Sequence, residues 1–236
     1  MKSVLLFLGA IILSATAFAQ QTILNVASAD VLDKNQIYFR LDTTVFASPE
    51  TATLAPNFIF GFGHNLEGGV NINAFGVPGD TANRSIVPNL KWKFLSTKAD
   101  KPIHLDLYAG DQIFIPTFHR TFDVGNYLYA AGAVTIHNDT RFTVGGWHSA
   151  DVVVAGSRGG ALLGLEQTIA HAADKRNLIT LAGDWQSGQG SNGALTLGAM
   201  IFPTNRLMLI PSFQIANSGD HNANAFVFFL GYMLKK

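Results

Sequence analysis

Apolar and polar residues alternate along most of this chain. In one stretch Leu66, Val70 and Ile72 share a face, while Glu67 and Asn71 share the opposite one. Such a two-residue period predicts β-strands, because successive side chains of a strand point to opposite faces. Helical periodicity is almost absent. The pattern predicts twelve strands, at about 36–47, 54–63, 66–76, 85–95, 103–114, 126–136, 140–148, 159–169, 177–187, 193–202, 206–216 and 223–234.

The connections between these strands alternate in length. Tight polar turns are predicted at 64–65, 137–139 and 203–205, whereas longer segments such as 115–125 and 149–158 lie between them. Short turns at one rim and long loops at the other are typical of outer-membrane barrels.

The amino-acid composition indicates which environment, water or lipid, each face of the strands contacts. Charged residues make up 14% of the chain, hydrophobic residues 48%, and mean hydropathy is +0.22. So little charge cannot cover a soluble surface, and it excludes a disordered chain or a nucleic-acid binder with a basic patch. A strand edge in lipid must be paired, so the sheet must close. We therefore predict an all-β fold, a closed antiparallel transmembrane β-barrel of twelve strands, with a secreted β-sandwich or soluble barrel as the alternative.

The first residues indicate export. Lys2 precedes an apolar run from Val4 to Leu13, and Ala17-Phe18-Ala19 provides a small-residue cleavage site. This is the pattern of a secretory signal peptide. The predicted organisation is a signal peptide at 1–19, an N-terminal segment at 20–35 and an outer-membrane barrel at 36–236. Residues 20–35 could cross the periplasmic mouth, enter the lumen or fray.

Several pieces of the sequence resemble a known class. They are Asn25 to Leu32 running into Gln36 to Phe39, Gly61 to Asn71, and Val124 to Tyr127. With these pieces the whole mature chain resembles bacterial outer-membrane β-barrel proteins, and in particular barrels grouped with putative transporters of phenol meta-pathway clusters. The resemblance implies outer-membrane lipid and the outer-membrane assembly machinery as partners. The aromatic-rich last strand fits that class, although the final residue is Lys236 rather than an aromatic.

The predicted lumen is polar and balanced in charge. A twelve-stranded barrel has a backbone diameter of roughly 24 Å, which side chains reduce to a bore of roughly 10 Å. Such a bore suits small solutes, and the predicted function is passive diffusion without a catalytic step or cofactor. Alternation also turns Tyr38 and Tyr127 inward, where the tyrosines could stack on a solute or simply fill space. The predicted lumen-lining residues are Arg40, Asp42, Glu67, Lys91, Lys93, Asp106, Tyr108, Tyr129, Arg141, Glu166, Asp184 and Arg206.

Two other functions stay open: a closed structural or adhesion barrel that acts through its loops, and an outer-membrane hydrolase. Ser191-Asn192-Gly193 resembles part of a phospholipase motif, but Gln189 stands where that motif has His. His148 and Ser149 are neighbours, so on a strand they face opposite sides. Rim residues that could serve a protease are His119, Asp123 and Asp220-His221, and the seven histidines lack metal-site spacing.

Two features conflict with a regular barrel. Pro56, Pro88 and Pro211 fall in or beside predicted strands, although a closed barrel has no free edge for proline. We expect them at bulges or rims. Strict alternation places Asp111 on the lipid face unless a bulge near Gly110 shifts the phase.

Overall fold

The computed structural model is an antiparallel β-barrel. It describes residues 22–47, 50–73, 75–77, 85–97, 101–117, 123–150, 153, 156–189, 193–217 and 223–235. The strand segments are β1 (Ile37–Ala47), β2 (Glu50–Gly63), β3 (Leu66–Asn73), β4 (Phe75–Val77), β5 (Ser85–Ser96), β6 (Ile103–Pro116), β7 (Gly125–Ile136), β8 (Thr140–Ser149), β9 (Gly159–His171), β10 (Asn177–Gln186), β11 (Ala194–Ile201), β12 (Leu207–Ala216) and β13 (Ala225–Lys235). Among the described residues there is no helix long and apolar enough to span a membrane.

The sheet closes on itself. From β5 to β13 each strand pairs with the next one along the chain, β3 pairs with β2 and β5, and β1 pairs with both β2 and β13. Because β3 and β4 follow one another along the same side of β2, the thirteen segments form a ring of twelve strands. The predicted fold class is confirmed. The predicted bounds differ from the observed ones most at β2, which begins at Glu50 rather than near residue 54.

Residues with left-handed backbone conformation form two of the tight turns at the rim where β1 begins and β13 ends. His64 and Asn65 both have positive φ, at 54° and 58°, and His137 and Asn138 follow the same pattern. Two successive positive φ angles match the right-handed twist of paired strands, so they favour short hairpin loops: two residues between Gly63 and Leu66, and three between Ile136 and Thr140. The signal peptide predicted at 1–19 lies outside the described residues, as do His119, Ser191-Asn192 and Asp220-His221.

The outer face of the barrel is apolar. Leu90, Trp92 and Phe94 are about half exposed, at 49%, 54% and 49%, and they share one face of β5. Phe226 on β13 is 65% exposed. Exposed large apolar side chains around a whole barrel are costly in water and favourable in lipid. The inner face of β5, in contrast, buries the charged residue Lys91.

The three prolines lie within strands, and one of them lies beside a shift of register. Pro56 is opposite Leu41 of β1. On its other side the pairing lapses, and the register shifts by one residue between the Leu54–Phe75 pair and the Asn57–Asn71 pair. Pairing on one side of Pro88 and of Pro211 lapses in the same way, while the register continues unchanged. The expectation of a bulge is confirmed at Pro56. It is wrong at Pro88 and Pro211, where losing ladder pairs on one side accommodates the missing N–H.

Asp111 lies on the outer face. The register between β6 and β7 is continuous from Ile103 to Phe114, so no bulge near Gly110 changes the phase. Asp111 stands opposite Leu90 and Leu128, which are both exposed apolar residues. Its Oδ1 atom is buried and has no hydrogen-bond partner among the described residues. The strand is therefore as regular as the alternation predicted, and the carboxylate faces lipid.

Candidate functional site

Residues 22–36, here called the lumen segment, lie inside the barrel. Ile23, Leu24 and Val26 are at most 1% exposed. The segment makes hydrogen bonds to side chains of β1, β3, β5, β6, β8, β10, β11 and β12. A segment that contacts strands around the whole ring must lie within the ring. The sequence left open whether this segment crosses the periplasmic mouth, enters the lumen or frays, and the structure places residues 22–35 in the lumen.

The inner end of the lumen segment is a tight turn held by one carboxylate. The amide of Ile23 donates to the carbonyl of Val26 at 2.6 Å, which closes the turn. The amides of Leu24, Asn25 and Val26 then donate to Asp184 Oδ2 at 2.8, 2.7 and 2.7 Å. Three charge-assisted bonds on one oxygen make Asp184 the principal anchor of this turn.

The middle of the lumen segment is held by an ion pair of the wall. Lys91 Nζ lies 2.8 Å from Glu67 Oε1, and both side chains are only 2% exposed. Lys91 Nζ also donates to the carbonyls of Ser28 and Asp30, while Glu67 Oε2 accepts the amide of Leu32 at 2.8 Å. The ion pair thus provides hydrogen-bond partners for two carbonyls and one amide of the lumen segment. Burying these backbone groups without partners would cost stability.

Arg141 on β8 connects the lumen segment to the opposite wall. Its guanidinium donates to both carboxylate oxygens of Asp30, at 2.8 and 2.9 Å, and also to Glu166 on β9. Burial alone would raise the pKa of Asp30, but the charge and hydrogen bonds of Arg141 lower that pKa to about 2. Asp30 is therefore an anion at neutral pH, and its charge is balanced by Arg141.

The outer end of the lumen segment is fixed to β2. The amide of Asn35 donates to the carbonyl of Gly61, and the amide of Gly61 donates to the carbonyl of Gln36. A Cβ atom at Gly61 would lie 1.9 Å from the Asp33 carbonyl oxygen, so a larger residue there would displace the backbone. Glycine at this position lets the lumen segment enter the barrel close against the wall.

The structure brings most of the predicted lumen residues together on the inner face. Arg40 pairs with Asp42 at 2.6 Å, Lys93 lies 3.7 Å from Asp106, and Tyr108 donates to the carbonyl of Ala27 at 2.6 Å. Arg206 is the exception: it is exposed in the turn before β12, which begins one residue later, so it does not line the lumen. Both signs of charge are thus present as paired groups, the arrangement expected of a narrow lumen.

An aromatic group lies at the long-loop end of the lumen, and sequence analysis found only part of it. Tyr127 stacks on Trp147 with ring centres 5.6 Å apart, and Tyr129 is 6.3 Å from Tyr127. The hydroxyl of Tyr127 donates to Gln186 Oε1 at 3.1 Å. Trp147 was not predicted, although alternation through β8 turns it inward with Ser149.

A second feature missed by sequence analysis is an apolar wall. Inward side chains from β12 and β13 are apolar and at most 4% exposed; they are Met208, Ile210, Val227, Phe229 and Met233. Most charged pairs lie on the strands from β3 to β10; the exception is Arg40 with Asp42 on β1, where the Arg40 guanidinium lies 4.8 Å from the centre of the Phe229 ring. The lumen therefore has an apolar wall on β12 and β13 and charged pairs on the other strands. Alternation alone does not reveal this contrast, because it tests only one strand at a time.

The geometry gives no hydrolytic site at His148. Ser149 is fully buried on the inner face and donates to the carbonyl of Asn126, while His148 is exposed on the outer face. The two side chains lie on opposite sides of the sheet, as their sequence positions predicted. A nucleophile and its base must be within hydrogen-bond distance, so this pair cannot serve.

No protein-family model and no curated protein sequence matches this chain. Among solved structures it is similar to outer membrane phospholipase A from Escherichia coli, with a TM-score of 0.50 and 13% identity over 88% of this chain and 95% of that one. It is also similar to the low-pH structure of OprB from Pseudomonas putida, with a TM-score of 0.31 and 11% identity over 84% and 91% of the two chains. The chain has the closed barrel fold of bacterial outer-membrane proteins.

Proposed function

We propose that this protein is a bacterial outer-membrane channel for small polar solutes, in which the lumen segment acts as an internal gate. The exposed apolar outer face supports a position in outer-membrane lipid. The inner face offers charged and polar groups that can contact a hydrated solute. The resemblance of the sequence to putative transporters of phenol meta-pathway clusters is consistent with transport. No step of this function is catalytic.

One observation carries the gating part of the proposal. Each cation that holds the lumen segment also has an anion within the wall: Arg141 has Glu166, Lys91 has Glu67, and Arg40 has Asp42. If the segment leaves, these three cations remain paired, so they avoid the large penalty of an unpaired buried charge. A segment that was a permanent part of the core would not require such complete partners in the wall.

A closed structural barrel is the second candidate. It is favoured by the apolar residues of the lumen segment, since Ile23, Leu24 and Leu32 are buried together with side chains of the wall. Burial of each such residue contributes about 1.5–3 kcal/mol in the closed state. The closed barrel would hold the same structure but would never pass solute.

A disulfide between the segment and the wall tests the proposal. The chain contains no cysteine, and Ile23 Cδ1 lies 2.4 Å from the Cβ position of Gly164 on β9. We therefore expect an Ile23→Cys and Gly164→Cys pair to form a disulfide that locks the segment. We expect discrete openings of the wild-type protein in planar bilayers and swelling of liposomes in small polar solutes. The oxidised pair should be silent, and a reductant should restore wild-type behaviour.

The single-cysteine variants under the same oxidant are the controls. A wild-type protein that neither opens nor passes solute would support the closed barrel. Equal flux before and after oxidation would show that the segment does not gate the pathway. Release of fatty acid from phospholipid by the same preparation would favour the hydrolase instead.

A further inference from the structure

Four inward side chains form a patch above the inner end of the lumen segment, here called the vestibule patch: Tyr127, Trp147, Asp184 and Gln186. The rings of Tyr127 and Trp147 are nearly parallel, with an interplanar angle of 17°. The bond from Tyr127 to Gln186 Oε1 links the rings to β10, where Asp184 lies two residues away on the same face. Three strands therefore contribute to one surface at the long-loop end.

The vestibule patch contains buried polar atoms without partners. Trp147 Nε1, Gln186 Nε2 and Asp184 Oδ1 make no hydrogen bond within the part of the chain that the structure describes. The three residues are 6%, 4% and 2% exposed. Each unsatisfied buried group costs about 1–3 kcal/mol of stability. Three of them in one patch therefore destabilise the protein unless a ligand supplies their hydrogen-bond partners.

We propose that the vestibule patch is a binding site for a neutral, polyhydroxylated ring, the chemical class of monosaccharides. A hydroxyl both donates and accepts, so one solute can accept from the Trp147 and Gln186 donors and donate to Asp184 Oδ1. The apolar face of a sugar ring can pack against the aromatic rings. This inference rests on the proposed channel and names its solute class.

The three atoms without partners are two donors and one acceptor, and this combination argues against other classes of solute. An aromatic or aliphatic acid would satisfy the donors of Trp147 and Gln186, but its negative charge would lie beside the Asp184 carboxylate. A cation would suit Asp184 and would leave both donors without acceptors. A neutral solute with hydroxyl groups satisfies all three atoms.

The site is coupled to the gate through Asp184. Oδ2 holds the three amides at the tip of the lumen segment, while Oδ1 belongs to the vestibule patch. The tip covers this carboxylate, so a solute hydroxyl reaches Oδ1 when the tip withdraws. Bound solute therefore favours the open arrangement, because it binds that arrangement better than the closed one.

Fluorescence of Trp147 provides a direct test. The chain has three tryptophans; Trp92 and Trp185 lie on the outer face and can be changed to Phe, which leaves Trp147 as the reporter. D-glucose should change its emission saturably. Glycerol, which lacks a ring, and benzoate, which carries a charge, should produce no saturable change.

Variants of Gln186 test the role of the free donor. Gln186→Met should weaken D-glucose binding by about two- to tenfold, the effect of losing one neutral hydrogen bond. Gln186→Glu keeps an acceptor for Tyr127 and should weaken binding as well, while Gln167→Met, on the outer face of β9, should leave it unchanged. Heat-modifiable migration in cold SDS gels checks that each variant is folded.

The outcomes separate this proposal from the channel itself. No saturable response of Trp147 to D-glucose, an equal response to benzoate, or wild-type affinity in both Gln186 variants would overturn the site. A conducting protein without the Trp147 response would retain the channel and lose the site. A Trp147 response in a protein that never conducts would retain the site and refute the channel.

Discussion

The bond between Asp30 and Arg141 provides the sharpest test of the gate. Asp30→Asn keeps the size of the side chain and removes its charge, while Arg141 retains its pair with Glu166. The lost contact is bidentate, with N–O distances of 2.8 and 2.9 Å. The wall itself is unchanged, so the substitution acts on the attachment of the lumen segment.

The structure sets the expected size of the effect. Hydrogen bonds to charged groups contribute about 1.5–3 kcal/mol each. The Asp30 side chain is 23% exposed, and Asn can still accept one bond, so we expect a loss of about 1.5–2 kcal/mol in all. This corresponds to an increase of roughly 10- to 30-fold in the ratio of open to closed channels.

Single-channel recording in planar bilayers measures that ratio as open probability. Asp33→Asn is the matched control, because Asp33 belongs to the same segment and is exposed rather than paired with Arg141. If Asp30→Asn and Asp33→Asn both behave like the wild-type protein, the ion pair does not hold the segment closed. An unchanged open probability with a larger unitary conductance would indicate a change of pore size instead.

Three further results are expected. The pKa of Asp30 is lowered to about 2, so its contribution to closure is complete above the ordinary value of 3.8 and is lost as the pH falls through about 2. The open probability of the wild-type protein should therefore rise as the pH falls over this interval. Asp30→Asn should lack this rise. Glu67→Ala leaves Lys91 without its anion and should shift reversal potentials towards anion selectivity. Val70→Ala, on the lipid side, should cause no such shift. Equal shifts in the two variants would refute the assignment of Glu67 to the inner face and Val70 to the outer face. Asp111→Leu should raise the free energy of unfolding in lipid vesicles by about 1 kcal/mol, and a decrease would show that this carboxylate has a partner on the outer face.

Strand positions and the side that each residue faces could be predicted from the sequence. The two-residue period predicted that Glu67 and Lys91 face inward and that Val70 and Trp92 face outward. The structure confirms the predicted face of all four residues. It also put Asp111 on the outer face, where the continuous register of β6 with β7 keeps it. Period-two alternation is a local property of the chain, and each residue's face follows from it once the strand is recognised.

What fills the barrel was decided by the tertiary structure. The three amides that meet on Asp184 are about 160 residues away from it in sequence, and the Asp30 and Arg141 pair is separated by 111 residues. No local pattern links such groups, because they become neighbours only when the ring closes and the lumen segment enters it. The stacking of Tyr127 on Trp147 and its bond to Gln186 arise in the same way, from strands β7, β8 and β10 curving towards a common interior.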